Sequence, residues 1–147
     1  MRCWLRLVEQ PQRLEKDPNL CAALVEGAME SIRFTMTNFD EAIDIFLKAN
    51  SEVAISSTGK EYARIGLGLT NLTNIVPEVK ESGFGYADPK KVATMADLVV
   101  KYAAGDGATR PDVETLFTNR FVGKVRLSAS ELASAEKSAA AVRKYVS

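Results

Sequence analysis

Histidine is absent from the 147 residues, and that absence excludes more chemistry than any other feature of the composition. Without an imidazole there is no Ser-His-Asp or Cys-His nucleophilic site, no His-ligated zinc, and none of the general bases that titrate nearest neutrality. Cysteine is almost as scarce: Cys3 and Cys21 alone cannot build a zinc cluster or a disulfide framework. Cys21 falls beside an apolar helical stripe and reads as a small buried hydrophobe, while a Cys3–Cys21 bridge stays open for an exported chain. Neither sign of charge is in excess, with 19 acidic and 19 basic residues, which argues against a nucleic-acid binder and against steering by overall charge. Nowhere is there a run near the roughly 18 apolar residues that a membrane span requires. Arg2 and Arg6 interrupt Met1 to Glu9, so no signal-peptide core is expected in this chain. Period-2 alternation is rare as well, leaving Met1 to Val8, with Trp4, Leu5 and Leu7, as the one short candidate strand.

What the sequence does have is helical patterning. At this length one domain is expected, able to bury roughly 68–70% of its unfolded surface without disulfides or metal. Pro11 to Lys16 reads as a polar approach to the first strong helix. Asp17 then supplies a side-chain acceptor for unpaired backbone N–H groups, and Pro18 fits the first helical position, where a missing N–H costs nothing. Leu20, Leu24, Val25, Ala28, Ile32 and Met36 follow at steps of three and four, predicting one buried stripe. Asn38 and Glu41 predict a capping box for a second helix, with Ile43, Phe46 and Leu47 on its buried face.

Between Ser51 and Glu81 the spacing from Tyr62 onward predicts a helix, weakened by Gly66 and Gly68 at about 1 kcal/mol each relative to alanine. Gly83 and Gly85 mark a turn, and Asp88-Pro89 repeats the start signal seen at Asp17-Pro18. The helix it opens should bury Val92, Met95, Ala96, Val99, Tyr102 and Ala103 and end at Gly105-Asp106-Gly107. A turn-rich stretch follows, with a short helix over Asp112 to Leu116 and an apolar anchor in Leu116, Phe117, Phe121 and Val122. Ser128 and Glu131 predict a capping box for a last, Ala-rich helix to Val146, with Leu132, Ala135, Ala139, Val142 and Val146 as its stripe. The fold class expected from the residues is mainly α.

Several residue groups resemble chemical sites, and each has a plainer reading. Asp40 and Asp44 lie four apart and could project paired carboxylates for acid–base work or a hard cation; acids in a first turn also simply stabilise the helix macrodipole. Gly66-Leu67-Gly68 is two-thirds of a dinucleotide fingerprint, but Asn71 stands where the third glycine belongs and no strand precedes it. Gly59-Lys60 lacks the upstream glycine of a phosphate loop. Phe117, Arg120, Phe121, Lys124 and Arg126 interleave rings and cations as single-strand binders do, or form an aromatic anchor with solvated cations. Asn71-Leu72-Thr73 matches a glycosylation acceptor. Trp4 and Tyr86 could each stack on a planar ligand or belong to the core. No catalytic constellation, metal site or cofactor site emerges; catalytic and metal residues are expected to be none, and ligand-binding residues are not identified from the sequence.

Three segments in order, KDPNLCAALVEGAMESIRFTMTNFDEAIDIFLKAN, GFGYADPKKVATMADLVVKY and ETLFTNRFV, resemble the C-terminal portion of the solute-binding proteins of bacterial ABC importers for nitrate, sulfonate, taurine and thiamine-pyrimidine precursors. The nearest subgroup is the thiamine-precursor, ThiY-like one. The resemblance runs from about Leu14 to Val122, and Val92 stands where the family commonly has a bulky aromatic. It implies that residues 1–127 are the helical C-terminal part of an α/β periplasmic-binding-protein-like (type II) fold, with residues 128–147 as an additional helix. It further implies a non-enzymatic, periplasmic or extracytoplasmic protein whose intact parent closes two lobes on a small solute and presents it to ABC permease subunits. The chain is expected to begin beyond the first lobe, as a fragment of such a parent. Eukaryotic relatives that make the thiamine pyrimidine consume an active-site histidine, which this chain lacks. The alternative expectation is a stand-alone helical protein-interaction or dimerisation module, a possible homo-oligomer held by exposed apolar stripes. A small enzyme is the least favoured reading.

Overall fold

Start signals written in the sequence place most of the helices. In a computed structural model that describes residues 7 and 9–145, Asp17 Oδ1 accepts from the Leu20 N–H at 3.2 Å and opens α2, Pro18–Thr37. The preceding stretch is not a simple polar approach but a short helix, α1, Pro11–Lys16: Pro11 sits at the first helical position and the residues after it are all good helix formers. The expected strand at Met1 to Val8 lies, Leu7 apart, outside the described residues. The buried face of α2 is also rotated from its expected position. Cys21, Met29 and Met36 are buried and Val25, Ala28 and Ile32 half-buried, whereas Leu20 and Leu24 face solvent.

The second helix, α3, Phe39–Ala49, starts where expected but without its capping box. The Asn38 side-chain amide instead donates to Thr37 Oγ1 at 2.9 Å, and Asp40 and Glu41 supply first-turn acids in its place. Ile43 is fully buried and Leu47 partly, while Phe46 is exposed.

The helix expected between Ser51 and Glu81 is three: α4, Ser51–Ile55; α5, Gly59–Asn74; and α6, Pro77–Ser82. Pro77, which lacks an N–H and fits only a first turn, separates the last two. At Gly59 a Cβ would overlap the Val53 carbonyl oxygen, so the α4–α5 turn closes only around glycine. Gly68 serves a similar purpose inside α5, where a Cβ would come within 2.7 Å of Val142 Cγ1.

Gly83 and Gly85 take left-handed φ angles of 86° and 80°, turning the chain so that Phe84 between them points inward. Phe84 is 1% exposed, and its N–H donates to the Val125 carbonyl at 3.3 Å. Asp88 then caps α7, Pro89–Tyr102, accepting from the Lys90 N–H at 2.8 Å. The expected short helix near residue 112 is a 3₁₀ turn, Val113–Thr115, capped by Asp112. Both halves of the capping box form at α8, Ala129–Ala140: Ser128 Oγ accepts from the Glu131 N–H at 3.3 Å and Glu131 Oε2 from the Ser128 N–H at 2.7 Å. This helix stops short of its expected end. A second 3₁₀ turn, Arg143–Tyr145, follows it, and Val146 lies outside the described residues.

The architecture is mainly α, with no strand among the described residues. The core gathers Met29 and Met36 of α2, Phe84, Val125 and Ala135 of α8, flanked by Val25, Ala28, Ile32, Ile75, Val79 and Leu127. Because Ala135 and Ala139 are small, α8 lies close against both α2 and α5, with Val142 seated on Gly68. No helix among the described residues is long and apolar enough to cross a membrane.

Candidate functional site

The paired acids of α3 are used to join helices. Asp40 pairs with Arg64 and Asp44 with Lys60, the latter at 3.2 Å, so two carboxylates four apart on α3 meet two cations four apart on α5. Arg64 also lies over the Phe39 ring, 5.1 Å from its centroid. These pairs are solvent-exposed and contribute little stability each. No group of three or more His, Cys, Asp or Glu side chains able to hold a metal occurs among the described residues.

Neither glycine motif forms a phosphate cradle. Gly66 and Gly68 lie inside α5, and Gly59 opens that helix against Val53. Asn71, in the position of the missing third glycine, is a buried polar anchor: its amide donates to the Thr35 carbonyl at 2.9 Å, and its Oδ1 accepts from Thr35 Oγ1 at 3.1 Å. A side chain so engaged is also inaccessible to a glycosylating enzyme.

The ring-and-cation stretch after the first 3₁₀ turn is likewise occupied within the chain. Arg120 pairs with Glu15 at 3.5 Å and lies over Phe121, Lys124 pairs with Glu26 at 3.4 Å, and Arg126 donates to the carbonyls of Gly123 and Glu81. Phe117, Phe121 and Val122 are half-buried, whereas Leu116 is exposed and Val125, outside the expected anchor, is buried. The aromatic-anchor reading fits these contacts better than a nucleic-acid groove.

Asn119 makes the most specific contact in this region. Its amide donates to the Ala87 carbonyl at 2.9 Å and its Oδ1 accepts from the Ala87 N–H at 2.9 Å. One side chain thus satisfies both backbone groups of a residue between Tyr86 and Asp88, and fixes where α7 begins. Tyr86 is half-buried beside this clamp, and Trp4 lies outside the described residues.

A polar network sits where α2 meets α8. Arg33 donates to Glu131 Oε1 at 2.6 Å and to Glu30 Oε2 at 3.2 Å, while its Nε is buried without a partner. Hydrogen bonds from the Ser128 backbone and hydroxyl, joined by the one from Arg33, hold the Glu131 carboxyl down to about 2. The same carboxylates raise the Arg33 pKa. Glu131 therefore favours the folded state fully above the ordinary carboxylate value of 4.5, and that contribution is lost as pH falls toward 2. In a Glu131→Gln variant the melting midpoint should depend less on pH across that interval, as acid titration followed by circular dichroism will show. Ser128→Ala, which removes the other half of the box, should cost about 1 kcal/mol at neutral pH.

Two of the surface cavities among the described residues can be set beside these contacts. One is an apolar-walled groove of about 460 Å³ between α2 and α3, lined by Glu30, Ser31, Phe34, Thr35, Ala42 and Ile45. The other is a cleft of about 260 Å³ among α3, α5 and the end of α8, where Phe39 and Tyr145 stand beside Arg64 and Lys144. A third feature is convex. On α7 only Ala96 is buried, and Met95, Leu98, Val99 and Tyr102 are exposed, contrary to the buried face expected there. The physical reason is the position of α7, which packs mainly on the 3₁₀ turn at Val113–Thr115 and stands away from the core.

Comparison with protein-family models, curated proteins and solved structures finds no match to this chain.

Proposed function

We propose that the chain is the helical part of the substrate-binding component of an ABC importer for a small solute such as a thiamine pyrimidine precursor, a sulfonate, taurine or nitrate. The observation that carries this reading is the Asn119–Ala87 clamp. Two segments that resemble the binding-protein family, GFGYADP and TNRF, meet at one pair of hydrogen bonds between residues 32 apart in sequence, so they act as one structural unit. On this reading the helical body belongs to a type II periplasmic-binding-protein-like fold, works outside the cytoplasm, and hands solute to ABC permease subunits. It performs no catalysis. The test is a thermal-shift screen of the purified chain against the four solute classes. A ligand that binds only the folded state raises its melting midpoint, and at about 100 times its dissociation constant it stabilises by about 2.7 kcal/mol. A reproducible shift with one class supports the proposal, and a cooperative melt that none of the four moves counts against a solute site on this chain.

A second reading, a helical protein-interaction or dimerisation module, is favoured by a different observation. The α7 stripe is apolar, contiguous and uncovered, which is the surface pattern of an interaction site.

A further inference from the structure

Between residues 88 and 118 the chain leaves the helical body and comes back to it. This stretch holds α7, the loop after it and the first 3₁₀ turn, and among its residues only Ala96 is buried. None of the side chains gathered around Met36 and Phe84 comes from it. Much of its bonding is internal: α7 packs mainly on the 3₁₀ turn, and Arg110 of the loop pairs with Asp97 of α7. Lys91 reaches out of it to pair with Glu78 of α6. The chain on either side is held far more firmly. Phe84 and Val125 are both buried, and the Phe84 N–H donates to the Val125 carbonyl at 3.3 Å, so the core anchors the chain before the stretch begins and after it ends. Inside those anchors Asn119 bonds both backbone groups of Ala87, 32 residues away, and closes the base.

We propose that residues 88–118 form an arm that opens from the helical core as one unit, with the Asn119 side chain as its latch, whichever reading of function holds. A segment opens by itself when it shares few contacts with the rest of the fold, because only those contacts are lost. Here opening gives up the latch, the Lys91–Glu78 pair and little buried apolar surface. The packing of α8 on α2 and α5 stays intact.

The experiment is hydrogen–deuterium exchange of the full native chain, resolved by residue, for the wild type, Asn119→Ala and Ser128→Ala, with far-UV circular dichroism as the check on folding. In the wild type the interior amides of α7 should share one protection factor, at least about tenfold below the slowest amides of α2 and α8. Asn119→Ala should lower that factor about tenfold, and the core amides by a similar amount, since full unfolding also breaks the latch. Ser128→Ala weakens α8 and should lower protection in α2 and α8 about fivefold while leaving α7 unchanged, because the arm opens without that helix. This asymmetry is the signature of a separate unit. Equal protection in α7 and α8, with both lowered by Ser128→Ala, overturns the arm, and the wild type and Ser128→Ala decide this even if Asn119→Ala does not fold. A weakly protected α7 that Asn119→Ala leaves unchanged overturns the latch. Amides of α7 that each exchange at a separate rate overturn opening as one unit.

Discussion

Phe84→Ala should be the most damaging single substitution in the molecule, lowering stability by about 3–5 kcal/mol. The side chain is 1% exposed and touches the core formed by α2, α8 and Val125. It reaches that core through a turn whose two glycines are held at φ values of 86° and 80°. Loss of the ring therefore leaves a cavity as well as forfeiting its burial. Against a typical total of about 5–15 kcal/mol, the variant should be marginal or unfolded at room temperature. Urea unfolding followed by circular dichroism measures this directly. Phe84→Leu, which keeps most of the volume, should retain a cooperative transition. A cost below about 1 kcal/mol for the alanine variant would mean that Phe84 is not packed in the core.

Gly68→Val should destabilise by about 1–3 kcal/mol, although helix propensity alone favours the change. Both glycines of α5 are poor helix formers, but their surroundings differ. Nothing lies within 4 Å of a Cβ built at Gly66, whereas one at Gly68 meets Val142 Cγ1 at 2.7 Å and Cγ2 at 2.9 Å. Valine 142 is β-branched and stiff, so it cannot turn aside without moving the end of α8. Gly66→Ala should therefore stabilise by up to about 1 kcal/mol, while any side chain at Gly68 pushes α8 away from α5. Trimming the neighbour supplies the control. In a Gly68→Val, Val142→Ala double variant the two losses should sum to more than the measured loss, because the added volume occupies the space that was vacated. Simple additivity would show that the two residues do not touch.

Local signals in the sequence carried most of the helix starts. Asp17-Pro18, Asp88-Pro89 and the Ser128–Glu131 box each act within four residues, and the structure forms all three. What depends on partners was not legible in the same way. Asn38 precedes α3 as expected, yet its side chain bonds to the adjacent Thr37 and not back into α3. The face that α2 buries holds Met36 and Cys21 as expected, but it also takes in Met29, which the expected stripe omits, and leaves Leu20 and Leu24 in solvent. Gly68 looks like a flaw in a helix until α8 is placed against it. Asn71, read first as a broken fingerprint, is a buried hydrogen-bonding anchor whose partner Thr35 lies on another helix.

The same division holds for the candidate sites. The Asp40–Asp44 spacing was legible as chemistry or as a helix-start effect, and the signal for its actual use was a second pair, Lys60 and Arg64, with the same spacing. The exposed stripe of α7 was legible as apolar and helical but not as exposed, because exposure is decided by what fails to cover it. The clamp at Asn119 could be anticipated only as part of a motif, and its physical role appears once its side chain is seen to hold the backbone of Ala87.

The measurement that tests the functional account most directly is the solute screen run on two proteins in parallel, the wild-type chain and Asn119→Ala. Both should melt cooperatively, the variant at a lower midpoint because both polar groups of Ala87 lose their partner. The account predicts that one of the four solute classes raises the wild-type midpoint and that the rise is smaller in the variant, where the two family-like segments are no longer tied together. A wild-type melt that is cooperative and unmoved by thiamine pyrimidines, sulfonates, taurine and nitrate alike would contradict it.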